Sequence, residues 1–142
     1  MLEKKNQDNK IPSVSVIIPS LDGSRDGNVP KLLDDLSKQT IQPLDIHVVK
    51  GVKPNGLARN VGVKEAKGDV LVFLDDDIRL GHEHIIENLI FPLIDDNSMG
   101  MTGASIQIPE DSSWFQKATA RQTERNEFPV VDKITESDMV LT

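Results

Sequence analysis

Three consecutive aspartates, Asp75, Asp76 and Asp77, are the residues of this sequence best suited to chemistry. They follow Val70–Leu74, an apolar run with the length of a buried strand. Adjacent carboxylates repel one another, so the repulsion must be relieved by water or by a cation. Carboxylate oxygens bind hard divalent ions such as Mg²⁺ and Mn²⁺, which can bridge to phosphates and neutralise the charge of a departing diphosphate. A solvated turn with helix-capping aspartates is the alternative interpretation of the triplet.

Motifs for other common chemistries are absent from the sequence. There is no phosphate-binding P-loop, no Gly-x-Gly-x-x-Gly dinucleotide segment and no Gly-x-Ser-x-Gly nucleophile turn. Cysteine is absent, which excludes disulfides, thiolate metal sites and a cysteine nucleophile. His82 and His84 are two residues apart, so their side chains diverge on a helix, and we predict surface residues rather than zinc ligands. His47 lies in a predicted strand and is assigned a structural role. Any phosphate would therefore be held by a metal ion and basic side chains.

Composition limits the partners of the chain. It has 142 residues and a net charge of −7, which argues against nucleic acid as a ligand and against binding an anionic membrane through the overall field. The first ten residues lack the apolar region of a signal peptide, and no apolar run approaches the length of a membrane span. These features predict a cytoplasmic protein, which would reach the inner face of a membrane only through parts not present in this chain.

Alternating apolar and turn-forming segments predict an α/β domain with a mainly parallel sheet. Gly68 is placed as a helix C-terminal glycine, and Pro92 is expected to kink or end a helix. In such sheets ligands bind beyond the carboxyl ends of the strands, so the loops at 19–22, 50–56 and 75–77 are expected to form one site. The predicted strands are 12–19, 45–49, 70–74 and 99–106, and another begins near Val140. The first predicted helix begins at about Pro30 and is terminated by Pro43. The other predicted helices are 57–67, 82–93 and about 112–126.

Four segments, in order, resemble the family 2 glycosyltransferases, which have the GT-A fold. Ser13–Ser20 (SVSVIIPS) is similar to the opening strand of that family, and Leu36–Thr40 (LSKQT) to the end of its first helix. Gly56–Gly62 (GLARNVG) resembles its G-x-A-R-N-x-G segment, and Ala66–Asp77 (AKGDVLVFLDDD) the segment that ends in its metal-binding D-x-D motif. The resemblance extends from Ser13 to Ile108.

The resemblance implies transfer of a sugar from a nucleotide-diphosphate donor, UDP- or GDP-linked, to an acceptor hydroxyl of a glycan, a lipid or another molecule, usually with inversion. By position, Asp77 would be the main ligand of a divalent metal, Mn²⁺ or Mg²⁺. Asp75 is assigned with it to the metal site, and Asp75 and Asp76 would contact the ribose and the water shell of the metal. The leaving diphosphate needs the charge stabilisation that a metal supplies, and the sugar passes through an oxocarbenium-like state.

The nucleotide pocket is also assigned from the resemblance. Pro19, Ser20 and Asp22 would line it through backbone and side-chain contacts. Arg59 would lie near the base or the phosphates, with Asn60 beside it as a structural polar group.

The sequence departs from the family pattern in two places. First, the family has an aspartate at the end of its second strand that reads the nucleobase, and this chain has Lys50, so uracil recognition by that route is not implied. Lys50 and Lys53 could instead approach phosphate.

The second departure is that the chain is expected to stop before the acceptor half of the family. Residues 1–11 are expected to be a flexible leader. Residues 12–142 are expected to be a three-layer Rossmann-like GT-A domain that binds nucleotide sugar and is truncated before the acceptor half, with the general base outside this chain.

Two other functions remain open at this stage. One is a truncated nucleotide-binding module without transferase activity. The other is a phosphatase of the haloacid dehalogenase class, because Val72–Asp77 also fits a hydrophobic strand followed by D-x-D, in which Asp75 would be the nucleophile. Arg79 stands where that class has threonine or valine, and no later G-D-x-x-x-D pair follows.

Overall fold

The computed structural model describes residues 10–105, 107–108 and 110–120. A three-stranded parallel sheet forms its centre, in the order β2-β1-β3. The strands are β1 (Val14–Ser20), β2 (Asp45–Lys50) and β3 (Val70–Phe73). The three strand predictions are confirmed, with ends that differ by one or two residues.

Strand β1 occupies the middle of the sheet because its sequence suits burial on both faces. All seven of its residues are buried. Val16 pairs with Val72 of β3, and Ile18 pairs with Val48 of β2. The parallel register brings the carboxyl ends of all three strands to one edge of the sheet.

Helices α1 (Asn28–Ser37) and α3 (Ile85–Asp95) cover one face of the sheet. Each presents apolar residues four positions apart, which lie on one side of a helix. Leu32 and Leu36 of α1 and Ile86 and Ile90 of α3 are fully buried against β1. Removing this much apolar surface from water stabilises the fold by roughly 1.5–3 kcal/mol for each large side chain.

Helix α2 (Asn55–Glu65) packs on the opposite face, where Ile17, Val49 and Ala58 form a smaller core. The helix lies close to the sheet because Gly62 has no side chain at the contact. A Cβ atom at Gly62 would lie 2.5 Å from Cγ2 of Ile17, which is closer than packed carbon atoms approach.

Two expectations for single residues are corrected. Gly68 is not a helix C-terminal glycine, because α2 ends at Glu65 and its C-cap is Ala66 in an extended conformation. Instead, Gly68 allows a close backbone approach: its Cβ would lie 2.5 Å from the backbone nitrogen of Ser15. Pro92 does not end α3, which continues to Asp95 although proline cannot donate a backbone hydrogen bond.

The chain after α3 differs from the prediction. No strand forms over residues 99–105, although 99–106 was predicted as one; Thr102 instead donates a hydrogen bond from Oγ1 to the carbonyl oxygen of Leu89. Gly100 and Gly103 weaken the strand preference of this segment, and a strand also needs a hydrogen-bonded neighbour. A short helix α4 (Trp114–Ala120) agrees with part of the predicted helix. The remainder of that helix and the strand near Val140 lie outside the described residues.

None of the helices in the described part of the chain has both the length and the apolar character needed to span a membrane.

Candidate functional site

The loops that follow β1, β2 and β3 lie together at the carboxyl edge of the sheet, as the parallel arrangement predicts. The amide of Gly51, after β2, donates to the carbonyl oxygen of Ser20 at the end of β1 (3.0 Å). The amide of Leu74 donates to the carbonyl oxygen of Ile17 (3.0 Å), which places the aspartates that follow beside the β1 loop. Lys50 extends past the backbone of Gly23, with 3.3 Å between its Cδ and the position of a Gly23 Cβ.

The loop after β1 is folded by its own short polar side chains. Asp22 accepts hydrogen bonds at Oδ1 from the amides of Ser24 and Arg25, each at 2.8 Å. The Oγ atom of Ser20 accepts from the amide of Gly23, and that of Ser24 accepts from the amide of Gly27. The backbone amides of Arg25 and Ser24 hold the pKa of Asp22 below its usual range, so this carboxylate stays ionised. The Asp22 carboxylate therefore organises the loop backbone.

Arg25 occupies an unusual backbone position in this loop. It and Asp26 are consecutive non-glycine residues in the left-handed region, with φ of 49° and 52°. Each such residue costs on the order of 1 kcal/mol, and such positions cluster at functional sites. Arg25 projects toward the triplet, with Nε 3.8 Å from Oδ1 of Asp76 and Nη2 3.9 Å from Oδ2 of Asp77. The sequence analysis did not assign Arg25 to the site.

Asn28, the first residue of α1, joins the β1 loop to the aspartate triplet. Its side-chain amide donates two hydrogen bonds, to the carbonyl oxygens of Asp76 and Ile78, both at 2.9 Å. We call this pair of bonds the Asn28 clamp. It fixes the backbone of the triplet against the start of α1, and the sequence analysis also missed it.

Arg59 reaches the triplet from the opposite side of the sheet. It lies on α2 and donates from Nη2 to Oδ1 of Asp75 at 2.8 Å. The close packing of α2 at Gly62 keeps the helix near enough for this contact. Asn60, the next residue along α2, is exposed. The structure thus brings Arg59 to the triplet, and its assignment to the base or the phosphates of a nucleotide stays a prediction.

The remaining assigned residues end their strands at the same edge. Pro19 and Ser20 are buried, and the Ser20 hydroxyl is engaged within the loop, so both would meet a ligand mainly through their backbone. Lys50 is exposed at the end of β2. Their assignment to a nucleotide pocket stays a prediction.

A comparison with known families decides what this arrangement belongs to. A family model described as "Glycosyl transferase family 2" matches residues 7–139, which is nearly the whole chain. The chain belongs to glycosyl transferase family 2. Searches of the curated proteins and of the solved structures found no match to the chain.

Membership of family 2 confirms the resemblance drawn from the four sequence segments. The small α/β domain with its parallel sheet is consistent with the Rossmann-like GT-A domain of that family. The domain is that of a glycosyltransferase-type enzyme. Between the two enzyme interpretations of the triplet, the match therefore favours the glycosyltransferase over the phosphatase.

The aspartates of this family 2 domain fit a divalent cation that also uses ligands from a substrate. Asp75 and Asp77 are each 59% exposed, so their oxygens are accessible from the site. Within the described residues, no three His, Asp or Glu side chains form a ready-made metal site. Mg²⁺ is typically bound by one or two carboxylates together with substrate phosphates and water. The donor set therefore suits an ion whose remaining coordination positions are filled by water or by the phosphate oxygens of a ligand.

The histidines lie apart from this cluster. His82 and His84 are exposed near the start of α3, as predicted, and Nδ1 of His84 lies 2.7 Å from Oε2 of Glu87. The hydrogen bond to Glu87 raises the pKa of His84, and the same bond lowers the pKa of Glu87. The Nε2 atom of His47 lies 3.2 Å from Oδ2 of Asp45. Asp45 is the first residue of β2, so this pair lies toward the edge of the sheet opposite the site loops.

Proposed function

We propose that this protein transfers a sugar from a nucleoside-diphosphate sugar to an acceptor hydroxyl, with a divalent cation and with inversion. One observation carries the proposal: in a family 2 domain, three aspartates lie between two arginines at the carboxyl edge of the sheet. Such a cluster offers carboxylates to a cation and guanidinium groups to phosphates. Guanidinium groups bind phosphate oxygens through two parallel hydrogen bonds.

The aspartates would share the task of holding the donor. Asp77 and Asp75 would hold Mn²⁺ or Mg²⁺, and Asp76 would contact the ribose or the water shell of the ion. When bound, the ion neutralises the charge that develops on the leaving diphosphate. The Asn28 clamp fixes the backbone of the triplet, so that its carboxylates start from one geometry.

The nucleotide would lie over the ends of β1 and β2. Pro19 and Ser20 would contact it through their backbone, and Asp22 would keep the β1 loop in its folded shape. Arg59 and Lys50 would approach the phosphates, with Asn60 beside Arg59. Because Lys50 replaces the family's base-reading aspartate, both UDP- and GDP-linked donors are to be tested.

Nucleotide binding tests the donor site directly. Isothermal titration calorimetry with UDP, GDP and their sugars, with and without Mn²⁺, should show binding that requires the ion. Asp77→Asn should weaken binding by about tenfold or more, because a lost charge-assisted contact costs roughly 1.5–3 kcal/mol. Asp95→Asn is the matched control, since Asp95 is an exposed aspartate at the end of α3. Absence of nucleotide binding, or equal affinity in wild type and Asp77→Asn, would contradict the proposal.

Turnover separates transfer from binding alone. Release of nucleoside diphosphate from the donor that binds, in the presence of a panel of glycan and lipid acceptors, should depend on Asp77 and on Mn²⁺. Tight binding without release in any acceptor mixture would favour the alternative of a nucleotide-binding module.

A further inference from the structure

The side chain of Arg25 contacts the carboxylates without being bound firmly to them. Its distances to Asp76 and Asp77, 3.8 and 3.9 Å, lie within ion-pair range but beyond hydrogen-bond range. The side chain is 57% exposed. In the described part of the chain its guanidinium group therefore attracts the triplet while its donors remain accessible to a ligand.

The backbone of Arg25, in contrast, is fixed. Its amide donates to Asp22, and its carbonyl oxygen accepts from the amide of Asn28 at 2.9 Å. The left-handed φ of 49° is maintained by these two bonds and by the turn around them. A flexible side chain on a fixed base can exchange partners without refolding the loop.

The charges of the cluster favour such an exchange when a cation binds. Three carboxylates face two guanidinium groups, which leaves little net negative charge to attract a divalent ion. Arg59 is hydrogen-bonded to Asp75 at 2.8 Å and is only 24% exposed. Arg25 is the more exposed and the more loosely paired of the two, so it is the one that can leave.

We propose that Arg25 is the internal counter-ion of Asp76 and Asp77 in the cation-free protein, and that it moves to the donor diphosphate when a divalent ion takes its place. This inference rests on the proposed function, which it extends with a residue that regulates the same site. It makes cation and nucleotide binding cooperative, because the ion releases the guanidinium group that then binds the phosphates. Removing Arg25 should therefore strengthen the binding of the cation alone and weaken the binding of the nucleotide.

The test measures the two affinities separately in the Arg25→Gln variant. With MnCl₂ alone, calorimetry should show roughly 3- to 10-fold tighter Mn²⁺ binding than wild type, the scale of an exposed ion pair of about 1 kcal/mol. At saturating Mn²⁺, the nucleoside diphosphate that wild type binds, UDP or GDP, should bind about tenfold more weakly.

Lys38→Gln is the matched control, because it removes one positive charge at the far end of α1. A ten-residue helix is about 15 Å long, and charges are screened within about 8 Å at physiological salt, so both affinities should stay at the wild-type level. Arg25→Lys is the second variant. It keeps the charge but loses the planar fork, so Mn²⁺ affinity should stay near wild type while nucleotide affinity falls.

The outcomes distinguish this inference from the donor site itself. If wild type binds Mn²⁺ and nucleotide, Asp77→Asn loses that binding and Arg25→Gln behaves like Lys38→Gln, the role of Arg25 is refuted and the donor site is not. Unchanged or weaker Mn²⁺ binding in Arg25→Gln also refutes it. If wild type binds neither ligand, both the donor site and the inference are wrong.

Discussion

The Asn28 clamp should contribute measurably to stability and to the site, and Asn28→Ala tests this. The substitution removes two hydrogen bonds of 2.9 Å to the carbonyl oxygens of Asp76 and Ile78. It changes neither the charge of the cluster nor its carboxylates. The segment that follows the triplet would still be held to α1 by Asp35, which accepts hydrogen bonds from Arg79 and from the amide of Leu80.

The magnitude follows from the two bonds. Each hydrogen bond contributes about 0.5–1.5 kcal/mol net, so the pair contributes about 1–3 kcal/mol. The site is partly buried, and water can replace part of what is lost, which favours about 1–2 kcal/mol. For a chain of this size that loss should lower the midpoint of thermal unfolding by roughly 3–8 °C.

Urea unfolding followed by circular dichroism measures the free energy of unfolding. Asn55→Ala is the control, because Asn55 begins α2 as Asn28 begins α1 and is exposed. Asn28→Asp should be more damaging than Asn28→Ala, since a carboxylate cannot donate to either carbonyl and adds negative charge beside the triplet. The reasoning fails if Asn28→Ala is no less stable than Asn55→Ala, or if Asn28→Asp matches wild type.

Two further predictions concern regions outside the site. Gly68→Ala should destabilise the protein by about 2–4 kcal/mol, because the new Cβ would overlap the backbone of Ser15 and disturb the 2.7 Å hydrogen bond from the Gly68 amide to Ser15 Oγ. Gly56→Ala is the control, because no atom lies within 4 Å of the Cβ position at Gly56. In a urea titration this control should be neutral or slightly stabilising. His84→Ala should be less stable than wild type near pH 6 and equally stable near pH 9. The pKa of His84 is raised by its bond to Glu87, so this stabilisation is complete below the unfolded pKa of histidine and is lost as pH rises through the folded pKa; a difference between the proteins that persists at pH 9 would contradict it.

The strands and the position of the site could be predicted because both depend on local patterns. Apolar runs such as Val14–Ile18 and Val70–Phe73 indicate strands of a parallel sheet. Of the three described strands, only β1 is buried on both faces, whereas Leu71 and Phe73 of β3 are exposed. Parallel strands end at a common edge, so the expectation that the three loops meet needed no contact information. The boundaries of the helices were less accurate, because helix ends depend on caps and neighbours.

The contacts that complete the site could not be predicted in this way. Asn28 and the carbonyls it binds are 48 and 50 residues apart in the chain, and no periodicity encodes a bond over such a distance. Asparagine is a common residue in turns, so the residue type of Asn28 did not indicate a role at the site. Arg25 lies in a loop whose shape depends on hydrogen bonds to Asp22, so its direction toward the triplet appears only once the loop is folded.

The site therefore combines a fixed backbone with exchangeable charges, and this division has a consequence for ligand binding. Side-chain bonds from Ser20, Asp22 and Asn28 set the backbone of the β1 loop and of the triplet before any ligand arrives. Ordering a loop on binding would cost about 1–2 kcal/mol for each residue whose backbone becomes fixed. A ligand here avoids that cost, although it must still displace ion pairs such as those of Arg25. Each exposed pair is worth at most about 1 kcal/mol, so small changes in charge at this edge should alter ligand affinity more readily than they alter the fold.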